Sequence, residues 1–195
     1  MRWFEIYFAR FHNATVVDWK QFCRDVAVEY FQNNHQMIGG PGQIVEIDES
    51  LFARRKNNVG RVVPPQWVFG GYDPTTKNGF LIPVPRRDAQ TLYPIIQQWI
   101  APGSIIHSDM WAAYNNLNQL GYQHQTVNHT YNFVDPVTGT HINRVESMWA
   151  RAKAKFKAGN GPTNRAMIQD HLAAFPKEQR FYEFWLQITR DLYPV

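Results

Sequence analysis

Three carboxylates stand where this chain could do chemistry. Asp48 closes the run QIVEID at 43–48, Asp109 directly follows SIIHS at 104–108, and Glu146 falls near the start of NRVESMWARAKAKF at 143–156. Carboxylates held close together raise one another's pKa, so such a cluster is unfavourable unless divalent cations neutralise it. Their hard oxygens suit Mg²⁺ or Mn²⁺, and two ions about 4 Å apart can activate an attacking oxygen while stabilising the leaving oxygen of a phosphodiester. Each acid also has an ordinary role open to it: Asp48 as a strand-end acid, Asp109 as a cap on a helix from Met110, Glu146 as an acid favoured at a helix N-terminus. Singly, the ordinary roles suffice; jointly, they ask for three coincidences.

Lys153 lies seven residues after Glu146, two helical turns on, and so projects from nearly the same face, with Lys157 a further turn along. Ammonium groups so placed could hold a nucleic-acid backbone leading to the acids, although a solvated basic helix surface has the same pattern. The net charge of +4 conceals this arrangement. Arg54, Arg55, Lys56 and Arg61 carry +4, and 144–165, with Arg151, Lys153 and Lys157 among its basic residues, carries +5. The remainder is acidic, and separated charge of this kind is the footprint of a polyanionic partner.

Composition excludes several classes. The chain's 195 residues are 44% hydrophobic and 15% aromatic, enough for a packed core and too apolar for a disordered polyelectrolyte. A single cysteine, Cys23, cannot form an internal disulfide or a Cys-pair zinc site. The longest stretch free of charged residues, 110–134, is studded with Asn, Gln, His and Tyr, so no membrane span is expected, and the first residues lack a signal-peptide pattern. An intracellular location is expected, nuclear in a eukaryote and cytoplasmic or nucleoid-associated in a bacterium.

The elements that must position the acids follow from periodicity. Thr15 can cap a helix over 15–33 in which Trp19, Phe22, Val26 and Tyr30 share helical spacing, and Gly39-Gly40-Pro41-Gly42 breaks it. A strand is expected over 43–48, with Ile44, Glu46 and Asp48 on one face and Val45 and Ile47 on the other. Two more strands, 67–72 and 80–84, flank a turn rich in Pro and Asn-Gly. Asp88 caps a helix that carries Pro94 in its first turns and ends by Pro102-Gly103; then come a strand at 104–108, a helix at 109–120, a strand at 123–128 and a helix at 143–156. His107 reads as a packed histidine, and His141 as a residue that could meet phosphate or support the site. Two further helices are expected at 164–175 and 177–192.

The order βββαβαβα is that of the α/β ribonuclease H-like fold, a mixed five-stranded sheet flanked by helices. Its first and fourth strands are central neighbours, which would bring Asp48 towards Asp109 while the last helix carries Glu146 across. The motifs IDES, RRKNNVGR, WVFGG, HSDMWAAY and HINRVESMWARAK resemble the DDE transposases of the Merlin group and their bacterial insertion-sequence relatives. With 36 residues between Asp109 and Glu146, the spacing is typical of them. The resemblance implies Asp48, Asp109 and Glu146 as catalytic ligands of two Mg²⁺ or Mn²⁺ ions, with Asn143 able to contribute. It further implies cleavage and strand transfer at transposon ends, DNA partners in the form of terminal repeats and target DNA, and a homodimer or larger assembly.

The expected organisation is an N-terminal helical segment at 1–38, a catalytic domain at 39–162 and C-terminal helices at 163–195. Only 13–32 resembles the last helix of the relatives' helix-turn-helix region, so a full recognition domain is not expected. A truncated or domesticated DNA-binding descendant without catalytic activity is the alternative.

Overall fold

A computed structural model describes residues 15, 18, 22, 25, 26, 29, 36–52, 66–128, 134–136 and 139–158. The chain divides into two compact units, Met1–His35 and Gln36–Val195. In the first, Thr15, Asp18, Phe22, Asp25, Val26 and Glu29 are helical. Phe22, expected on the apolar stripe, is instead exposed. The helices expected at 164–175 and 177–192 lie outside the described residues, as do Arg54, Arg55, Lys56 and Arg61.

The second unit is built on one mixed sheet. Its strands are β1 (Ile44–Phe52), β2 (Gln66–Tyr72), β3 (Gly79–Val84), β4 (Ile105–Ser108) and β5 (Gln123–Thr126), in the spatial order β3-β2-β1-β4-β5. β1 is antiparallel to β2, which is antiparallel to β3, whereas β4 runs parallel to β1 and β5 parallel to β4. This is the ribonuclease H-like arrangement expected from the order of elements. The edges are β3, which carries Pro83, and the short polar β5 (QHQT).

β1 runs four residues beyond the expected end because β2 pairs with it from Glu46↔Tyr72 to Phe52↔Gln66. Asp48 is therefore mid-strand, opposite Gly70, and not a strand-end acid. Alternation along β1 divides two cores. Val45 and Ile47 join Phe69, Phe80, Leu92, Ile96, Ile106 and Tyr114 on one face, where helix α1 (Ala89–Trp99) packs. Phe52, Val68 and Leu81 join Val145, Met148, Trp149 and Ala152 of helix α2 (Asn143–Ala158) on the other. Fully burying one such large side chain stabilises the fold by about 1.5–3 kcal/mol.

Local chemistry sets the connections. Asp73 is fully buried and its Oδ1 accepts from the Thr75 and Thr76 amides at 2.8 and 3.1 Å, which shapes the β2–β3 turn. Asp88 caps α1 by accepting from the Thr91 amide at 2.9 Å and the Thr91 hydroxyl at 2.7 Å. Pro94 is tolerated because it and Gln90 lie on the exposed side, where water can serve the carbonyl that proline leaves without an N–H. The helix expected at 109–120 does not form. Asp109 Oδ1 accepts from the Trp111 amide in an Asx turn, and Asn115, Asn116 and Asn118 disfavour helix, so only two 3₁₀ turns form, Ala112–Tyr114 and Leu117–Leu120.

The two glycines of WVFGG make room on opposite faces. A Cβ on Gly70 would come within 2.7 Å of the Trp149 ring and 2.9 Å of Leu81, and one on Gly71 within 2.5 Å of Phe80. Gly70→Ala should therefore force Trp149 off the sheet and lower stability by about 1–3 kcal/mol, read from the thermal or urea midpoint. An unchanged midpoint would show that the ring has room to move.

Candidate active site

Along the face of β1 that meets α2, three polar residues alternate with core residues, and each is linked to the helix. Glu46, fully buried, accepts through Oε2 from the Arg144 amide at 2.8 Å and the Val145 amide at 3.1 Å. Asp48 Oδ2 accepts from Trp149 Nε1 at 3.0 Å. Ser50 Oγ accepts from Lys153 Nζ at 2.6 Å, with the ammonium also 5.6 Å from the centroid of the Phe52 ring. The spacings match: two strand residues rise about 6.6 Å and four helical residues about 6.0 Å, so positions 46, 48 and 50 meet 145, 149 and 153 in step.

Glu46 serves as an acceptor for the first turn of α2 from a neighbouring strand. Its Oε1 lies 3.3 Å from His141 Nδ1 and 3.7 Å from Arg144 Nη1. Burial pushes its carboxyl up, against the two amides and the nearby His141 and Arg144, which favour the charged form. His107 is buried, as expected of a packed histidine, and its Nδ1 lies 3.3 Å from the His141 carbonyl. His141 faces Glu46, which gives it a supporting place at the start of α2.

Asp48 and Asp109 are brought together by the pairing of β1 with β4. Burial pushes the Asp48 carboxyl up to about 7, helped by the charges of Glu49 and Asp109 and opposed by the Trp149 hydrogen bond. Glu49 projects to the α1 side and accepts from the buried Tyr114 hydroxyl. Burial raises it also to about 7; the Tyr114 hydrogen bond opposes the rise, Asp109 adds to it, and Arg87 moderates it. Oxygen donors under mutual repulsion in a half-buried setting have the chemistry a hard divalent cation needs, and Asp48 and Asp109 could hold one.

Glu146 stands apart from this group. It is exposed in the first turn of α2, and the charges raising Asp48 are those of Glu49 and Asp109. Among the described residues, no three His, Cys, Asp or Glu side chains are gathered for a metal ion. By helical geometry Glu146 lies about 20° from Lys153, whose head group reaches β1, so it flanks the β1-facing stripe. Asn143 is half-buried one turn earlier. Arg151 is exposed, its Nε 3.4 Å from the Ser147 carbonyl. Lys157 lies in the last turn of α2.

Sequence reading missed Glu46, Glu49, Trp149 and Arg87. For Glu46 a signal was present: an acid on the same face as Asp48, inside an otherwise buried strand, needs a partner. Arg87 carries no such mark. It lies 3.9 Å over the Trp67 ring and 4.8 Å from the Trp111 ring, a juxtaposition made only by folding.

Residues 39–183 match the family model of the ISXO2-like transposase domain. The chain is 27% identical over 99 residues to an uncharacterized transposase-like protein of Haemophilus influenzae, across 51% of this chain and 75% of that protein. Among solved structures, it is similar to the catalytic core domain of BIV integrase, at 16% identity and TM-score 0.46, covering 78% of this chain and 99% of that one. It is also similar to the HTLV-2 integrase catalytic core domain in its dimeric complex with magnesium, at 12% identity and TM-score 0.39, covering 70% and 86% respectively. No described helix is long and apolar enough to cross a membrane.

Two expected outcomes follow from the geometry. Glu46→Ala strands one buried and one part-buried amide and should cost about 1–3 kcal/mol in denaturant unfolding, whereas Glu46→Gln keeps an oxygen acceptor and should cost less. Equal losses would mean that the charge, not the acceptor, anchors the helix. Asp48 and Glu49 keep protons when folded, up to about pH 7, that the unfolded chain releases near pH 4. The metal-free fold therefore binds more protons and loses stability as pH rises through that window. Asp48→Asn should shallow this decline and raise the melting temperature at about pH 8; an unaltered pH profile would place the titration elsewhere.

Proposed function

The chain belongs to the ISXO2-like transposase domain family, and on that premise we propose that it is a DDE-type transposase catalysing divalent-metal-dependent DNA cleavage and strand transfer at transposon ends. The observation that carries this reading is the pair Asp48, in the middle of β1, and Asp109, directly after the adjacent strand β4, with their charges opposing one another in a half-buried site. Kinship with the Merlin group belongs to the same proposal.

Mg²⁺ or Mn²⁺ bound there supplies Lewis-acid activation of the attacking oxygen and charge neutralisation at phosphorus. Asp48 and Asp109 would hold it, with Glu146 as the third ligand and Asn143 as a further oxygen donor. Trp149 donates to one oxygen of Asp48, so the carboxylate is oriented before any ligand arrives. Arg54, Arg55, Lys56, Arg61, Arg151, Lys153 and Lys157 would meet the phosphates of terminal-repeat and target DNA, in a homodimer or larger assembly. The exposure of Glu146, apart from the acids that act on Asp48, is the observation favouring the alternative, a DNA-binding descendant that does not catalyse.

A Mn²⁺-supported cleavage and strand-transfer assay on terminal-repeat DNA separates the two. Wild type should cut and join, and Asp109→Asn should lose at least about a hundredfold in rate, the scale lost when a major electrostatic stabiliser of a transition state is removed. Equal inertness of both proteins with DNA binding retained would establish the non-catalytic alternative.

A further inference from the structure

The residues immediately after Asp109 are unusual for a folded core domain. Met110 and Trp111 are 63% and 41% exposed, two consecutive large apolar side chains left in water beside the candidate centre. Trp111 is nonetheless held at three points, two of them on the indole. Its backbone amide donates to Asp109 Oδ1 at 2.9 Å, its Nε1 donates to the Arg87 carbonyl at 2.9 Å, and the Arg87 guanidinium lies 4.8 Å from its ring. Arg87 in turn lies 3.9 Å over Trp67, so guanidinium and indoles form one stack. The adjoining Arg86 is exposed.

An exposed ring held this firmly loses little conformational freedom when something stacks on it. Its one polar edge is already used by Arg87, so the surface it offers is a π-face without hydrogen-bond readout. A cation at the ring and another nearby favour a polyanionic ligand that also carries flat aromatic groups. A nucleic-acid strand with an unpaired base has both, whereas in an intact duplex the base faces are already stacked on each other.

We propose that Trp111, backed by Arg87 and flanked by Met110, is a stacking platform for an unpaired nucleobase of the DNA strand that runs past Asp109. The proposal rests on the DNA-acting function given above and adds to it a contact selective for unpaired DNA. Because the Trp111 amide is bonded to the Asp109 carboxylate, a base on the indole would sit at a fixed offset from the carboxylate pair.

The test measures dissociation constants of the full chain, without divalent metal, for a 20-nucleotide single-stranded DNA and for the same sequence as a duplex, each over a salt series. Trp111→Ala should weaken single-strand binding about tenfold, leave duplex binding within twofold and leave the salt slope unchanged, since stacking involves no phosphate. Trp111→Phe should keep most of the affinity, while Trp111→Leu, apolar but without a π-face, should behave like Trp111→Ala. Unchanged single-strand binding in Trp111→Ala, or equal losses on both DNAs, would overturn the platform alone. Failure of the wild type to bind either DNA would overturn the platform and the DNA-acting function together.

Discussion

The relation between β1 and α2 depends on placing polar groups in a face that is otherwise apolar. Glu46, Asp48 and Ser50 could not remain there unpaired, because a buried carboxylate or hydroxyl without a partner costs more than the packing around it returns. Each finds its partner on α2, and the links keep register because a strand advances by two residues nearly as far as a helix advances by four. The Trp149 link needs Gly70 opposite Asp48, since any side chain there would occupy the volume of the indole. One strand, one helix and one glycine thus determine where Asp48 sits and how α2 lies across it.

The opposite side of β1 works differently. Val45 and Ile47 close an apolar core, and the only acid on that face, Glu49, is met by Tyr114 from the first 3₁₀ turn after Asp109. This contact ties the loop carrying Asp109 to the strand carrying Asp48. Had the expected helix formed from Met110, Tyr114 would project differently and the loop would lose this tether. The absence of the helix, dictated by the Asp109 Asx turn and the asparagines, is thus part of how the two aspartates come together.

Much of this was legible in the sequence. Alternation in QIVEID assigned Glu46 and Asp48 to one face and Val45 and Ile47 to the other, and element order gave the sheet its topology. What periodicity cannot supply is pairing length and partner identity. β1 extends to Phe52 because β2 lies alongside it, a fact of tertiary contact that moved Asp48 from a strand end to its middle. The spacing of Lys153 from Glu146 suggested a shared face leading to the acids, and Lys153 does reach β1, where its long stem lets the ammonium donate to Ser50. Glu146 took the exposed position that its helix phase allows, and no pattern in the sequence could have told the two apart.

Both margins of the sheet carry features that oppose its continuation. β3 holds Pro83, which has no amide hydrogen to offer a newcomer, and β5 is four polar residues long, too short to template a partner strand. Among the described residues, addition of a second copy of this domain by extending the sheet is therefore disfavoured at both margins, which makes side chains on helices and loops the better joint between copies. Such a joint can be adjusted by single substitutions without disturbing the strand register, so the manner of assembly is free to vary while the placement of Asp48 and Asp109 stays fixed.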